Sequence, residues 1–337
     1  MKKAKKLIDL YLITLFLLGG AAIVLRTVAC FFEWNGVTMH FNDKVCITIG
    51  NVLALLAILL FSSYFILAKK GESLVASSKS AMTYVPSGMV SVALLFMSID
   101  KLVGMKNPYI AENSVLSALS VLIAILGIAS VLSFFLTIFI QKNENVYKAS
   151  FNMAVVAFLA IYAAYLYFNK ETHPTNSPVK IVDMMAYLFA AMFFLYEARI
   201  SLGRALWRPY AVFGLAASLL TAYSAIPTLI YYAFSGVCIS DSVYESAITL
   251  SLFVFITARV LLLRNLSHEG ACEAAKCIEA LAEMRESEIA AKASHAHADD
   301  NNNNNNMEEI PSEDFENYTM DIPMPESDAD ITAEEND

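Results

Sequence analysis

The sequence predicts an all-α polytopic membrane protein: a transmembrane bundle of about eight spans, both termini cytoplasmic, followed by an acidic, partly disordered cytoplasmic tail. Three observations carry this. Hydrophobic residues make up 57% of the 337, and charged residues only 16%, where a soluble domain holds about a quarter charged. Eight apolar stretches reach or approach the roughly 20 residues that cross a hydrocarbon core of about 30 Å. The charge is also split. Residues 1–263 hold 19 Lys/Arg against 12 Asp/Glu, whereas residues 264–337 hold 4 against 20, so a body at +7 and a tail at −16 combine into the net −9. This balance excludes a basic nucleic-acid binder, a disulfide-stapled secreted fold and a fully disordered chain.

The first stretch, residues 7–30, follows a basic segment from Lys2 to Lys6. It exceeds the about 7–15 residues of a signal-peptide core, and Arg26 interrupts the approach to Cys30, so a retained helix is expected. Further spans are expected at 46–67, 82–103, 114–140, 149–168, 181–200, 210–234 and 243–263. The sixth has only 13 uncharged residues between Asp183 and Glu197, which leaves a re-entrant segment as the alternative. Pro227 interrupts the seventh, where it can kink the helix. Thirteen Lys/Arg of the body fall on the N-terminal side and six on the other, which orients both termini to the cytoplasm of a plasma-membrane protein. Tyr165 and Tyr210 read as interfacial anchors at opposite ends of the bundle.

Charges at membrane depth are costly and mark candidate sites. Arg26, Asn51, Asp100, Asp183 and Glu245 fall at similar outer depth on different spans. They read either as a convergent polar vestibule for an ion or solute, or as independent interface residues with Arg26 snorkelling to the headgroups. A second set, Glu197, Arg199, Arg204, Arg208 and Arg259, lies near the inner headgroups. There Glu197 and Arg199 cannot face each other, whereas Arg204 or Arg259 can partner Glu197. Gly19–Ala22, Gly127 and Ala216–Ala217 are small residues suited to close helix contact.

Cys30 and Cys46 bracket the first outer loop and can form a disulfide, or remain buried thiols. No metal or cofactor site is expected, since His295 and His297 have no further ligands nearby and no phosphate-binding, dinucleotide-binding or metalloprotease motif is present. Enzyme is the least supported class.

The tail divides at 264–298, an acidic segment whose Ala274, Ile278, Leu281 and Met284 form one helical face, and 299–337, an Asn-rich and then acidic stretch. Expected partners are the lipid bilayer and a cytoplasmic protein engaged by this tail. The function expected is a membrane anchor, sensor or regulatory subunit acting through the tail, the alternative being a small-solute permease or ion channel.

Overall fold

The computed structural model describes residues 2–36, 38, 40–42, 44–68, 81–139, 146–171, 177–202, 206–240 and 242–263. The tail from residue 264 and Arg204 lie outside the described residues. The protein is an integral membrane protein whose described residues hold eight long apolar helices: α1 Leu7–Phe32, α2 Val45–Leu67, α3 Met82–Gly104, α4 Ser114–Phe139, α5 Val146–Phe168, α6 Pro178–Ser201, α7 Trp207–Ser235 and α8 Val243–Leu262. Lipid supplies no hydrogen bonds, so each segment closes its backbone polar groups within a helix. Leu10, Phe16, Leu59, Ile125 and other large apolar side chains project outward, as a lipid-facing surface requires.

The sixth segment is a full 24-residue helix rather than a re-entrant one. It starts with Pro178 at its first turn, where the missing amide costs nothing. Its two acids are tolerated because both turn inward, Asp183 being 5% exposed and Glu197 3%.

Six helices close into a ring: α3 packs on α4, α4 on α5, α5 on α6, α6 on α7, α7 on α8, and α8 back on α3. Helices α1 and α2 pair with each other and lean on α7 from outside. Burial follows this plan, with 78% of the apolar window of α7 enclosed against 28% for α2. A π-helical turn at Leu15–Gly19 lies within α1. Gly19 there lets α1 approach α7, since a Cβ would stand 2.7 Å from Leu219 Cδ1.

Contacts between helix ends fix the alternation of direction. On the N-terminal face, Tyr11 of α1 bonds Ser63 of α2 (2.5 Å), and Arg208 at the start of α7 donates to the carbonyl of Phe65. On the opposite face a two-residue hairpin pairs β1, Trp34–Asn35, with β2, His40–Phe41. Lys44 sits in the left-handed region (φ 58°) and offers α2 no side-chain cap. Glu33 does so from across the hairpin: Cys46 N donates to its Oε1 (2.6 Å) and Ile47 N to its Oε2 (3.1 Å). Burial alone would raise the Glu33 carboxyl, but the amides of Cys46 and Ile47 outweigh it and hold the group below its ordinary range.

Candidate functional site

The ring interior is filled, and its filling is layered. Phe134 of α4, Phe194 of α6 and Phe255 of α8 meet with centroids 5.6, 5.1 and 5.7 Å apart. These helices are not neighbours in the ring, so their contact lies across it. All three rings are buried, and edge-to-face contacts lock Phe134 against the other two.

Polar groups occupy both sides of this cluster. Toward the opposite face, Lys101 of α3 lies over the rings of Tyr165 (4.2 Å) and Tyr162 (5.5 Å) of α5. Tyr162 packs edge-on against Tyr187 of α6 at 4.8 Å. The Tyr187 hydroxyl in turn shares a 2.9 Å hydrogen bond with Thr249 of α8, which donates to the Glu245 carbonyl (2.8 Å). Toward the N-terminal face, Arg259 of α8 and Glu197 of α6 form a salt bridge of 2.5 Å with both side chains almost wholly enclosed. Tyr210 of α7 donates to the other Glu197 oxygen (2.7 Å). Lys148 of α5 is buried within electrostatic range of both members of the pair. One turn on, Asn152 Oδ1 accepts from Ser133 of α4 (2.6 Å). On α6, Tyr187 and Glu197 are ten residues apart, so about 15 Å separates the layers along the axis.

The five outer residues lie on α1, α2, α3, α6 and α8. Arg26, Asn51 and Asp183 gather at the seam where α1 and α2 meet the ring. Arg26 is buried with its guanidinium 4.6 Å from the centroid of Tyr223, rather than reaching headgroups. The Tyr223 hydroxyl donates to Asn51 (2.7 Å), and the next residue, Ser224, donates to Asp183 (2.5 Å). Pro227 removes the amide that would bond the Tyr223 carbonyl, placing a break in the α7 ladder beside this seam. Glu245 is buried at the start of α8, and its charge and that of Asp183 both reach Cys238. Asp100 is half-buried near the end of α3.

Of the inner set, Glu197 and Arg259 come together, while Arg199 is exposed and Arg208 is half-buried against α2. Cys30, Cys46 and Cys238 are free thiols, so the Cys30–Cys46 bridge is not formed in this structure, although both sit in one apolar cluster with Phe41, Ile47, Val179 and Ile239. Burial raises the Cys238 thiol above its ordinary range. Among the described residues no His, Cys, Asp and Glu group could hold a metal.

Sequence reasoning missed Lys101 and Lys148, which it counted only for orientation, and it read Tyr165 and Tyr210 as interfacial anchors. Both tyrosines are in fact buried, at 1% and 0% exposure. The available signal for Lys148 was helical register, since it lies one turn before Asn152. Comparison with protein-family models, curated proteins and solved structures gives no match.

Proposed function

We propose that the chain is a permease for a small polar solute or ion, that α3–α8 line its route, and that the Phe134–Phe194–Phe255 cluster is the barrier of an occluded state. The observation that carries this reading is the burial of Lys101, Lys148, Glu197 and Arg259 on the two sides of an aromatic cluster. Charges within a membrane bundle are costly, and apolar side chains would serve packing at lower cost. Two polar layers divided by an apolar constriction are what a route with a gate requires. Access from either face would come from rocking of the ring helices about the aromatic cluster. The N-terminal face is the cytoplasmic one on this reading, by the excess of Lys and Arg there, and the plasma membrane is the proposed location.

The test is flux in liposomes reconstituted with purified protein, across a panel of inorganic ions and small organic solutes. Phe255→Ala is expected to raise flux of the accepted solute, and Lys101→Met to lower it. No flux above that of protein-free liposomes for any solute, in wild type and Phe255→Ala alike, would overturn the reading.

A second reading, an anchor or regulatory subunit acting through the tail, is favoured by the change of charge at residue 264. Capture of one reproducible partner by a peptide of residues 307–337 would support it. Flux and partner binding unchanged on removal of the tail would count against it.

A further inference from the structure

We infer that the groove between α5 and α6 at the N-terminal face is a binding site for one anionic phospholipid, with its phosphodiester on Arg199 and the upper part of an acyl chain along Met153 and Leu195. The site needs only a membrane-embedded body and does not depend on the permease reading. Residue size makes the groove. Ala149 of α5 and Ala198 of α6 are small and buried, and bulkier side chains flank them, so a notch of about 360 Å³ opens where the two helices meet. Met153, Leu195 and Leu202 form its apolar walls. Met153 is 46% exposed and Leu202 52%, so the notch opens outward to lipid rather than into the ring.

Charge identifies the occupant. Arg199 and Ser150 stand at the rim, both exposed, and among the described residues no Asp or Glu lines the groove. Arg199 forms no salt bridge among the described residues, because Glu197, two positions back, turns inward to Arg259. Helix α5 begins at Val146 and α6 ends at Ser201, so the rim lies at the end of both helices, where headgroups meet the hydrocarbon core. Met153 and Leu195 lie about one turn deeper, and from Leu202 to Leu195 the groove runs about 10 Å along the axis. A cation at headgroup depth, followed by apolar walls toward the membrane centre, complements a lipid with its phosphate at the rim and its chain below. A zwitterionic headgroup brings an ammonium that repels Arg199, whereas an anionic one does not, so the anionic lipid is the better complement.

The experiment uses the purified full-length protein in a neutral detergent. Thermal unfolding is followed while phosphatidylglycerol or phosphatidylcholine is added to the micelles at matched mole fractions. Wild type is expected to gain stability saturably, at lower mole fractions of phosphatidylglycerol than of phosphatidylcholine. Arg199→Gln should weaken half-saturation by phosphatidylglycerol about fivefold, the effect of one basic residue beside an anionic headgroup. Ala198→Leu fills the floor of the groove and should weaken it at least as much. Ser150→Phe fills the groove from its exposed rim and serves where the buried change prevents folding. Arg208→Gln removes another cation of the same face that lies outside the groove, and should keep the preference for phosphatidylglycerol. Equal responses of wild type to the two lipids overturn the site, as does an unchanged preference in Arg199→Gln. Equal losses in Arg199→Gln and Arg208→Gln would show attraction to the whole basic face and also overturn it. Sodium phosphate without lipid, at constant ionic strength, is expected to give no saturable gain; a gain equal to that from phosphatidylglycerol would identify a free-anion site instead.

Discussion

Glu197 and Arg259 show at the scale of single residues how a charge enters a membrane bundle. Both are enclosed, Arg259 Nη2 meets one Glu197 oxygen, and Tyr210 donates to the other. Removing one member strands the other, so Arg259→Met is expected to cost about 3–5 kcal/mol in thermal unfolding. Arg259→Met combined with Glu197→Leu is expected to cost less than Arg259→Met alone, and equal or additive losses would show that the pair is not coupled. Glu33 acts by another route, capping α2 from the end of α1. Its carboxyl is held below the ordinary value of about 4.5, so its contribution is complete above that pH and disappears as pH falls through the folded value. Glu33→Ala should therefore destabilise by about 1 kcal/mol at neutral pH, with the difference from wild type shrinking as the pH is lowered below the ordinary carboxylate range. A difference that grows on acidification would refute the capping role.

Helix contacts depend on individual small residues. Gly214 of α7 has no room for a methyl group: a Cβ would lie 2.6 Å from Val260 of α8 and 3.3 Å from Phe193 of α6. Gly214→Ala must push α7 from both neighbours and should cost about 1–3 kcal/mol. Gly88 of α3 faces open space, and Gly88→Ala should be neutral or stabilising by up to about 1 kcal/mol. Equal effects of the two substitutions, measured by thermal unfolding, would contradict the ring packing. Phe255 belongs to the same scale because it joins α4, α6 and α8, and Phe255→Ala should cost about 3–5 kcal/mol while loosening the barrier.

At the scale of the whole body, the described residues present large apolar side chains outward and bury several charges, the reverse of a soluble domain, because the solvent is lipid. We propose that the body and the tail are separate domains, divided near residue 264. A chain ending at Leu263 is then expected to unfold at the same temperature as the full chain in detergent, and a large loss of stability would refute the division. Orientation is checked by labelling single cysteines placed in each loop with a membrane-impermeant reagent. Labelling of the linker between α2 and α3 from outside intact cells would reverse the proposed topology.

The sequence by itself determined the number of spans, their approximate limits and the existence of a charged tail. Apolar length and charge segregation are local quantities, and the bilayer reads them locally. They sufficed even for α6, although two acids shortened its apolar run. Which face each helix turns inward was decided by the tertiary structure alone. By its position Lys148 reads as a loop cation beside the membrane, yet it is buried within electrostatic range of Glu197 and Arg259. Tyr165 looked like a headgroup anchor, and its ring instead faces Lys101. In helices apolar all round, with little periodicity to reveal the buried side, the partner of a polar group is set by the closure of the ring, and that closure is written in no single segment.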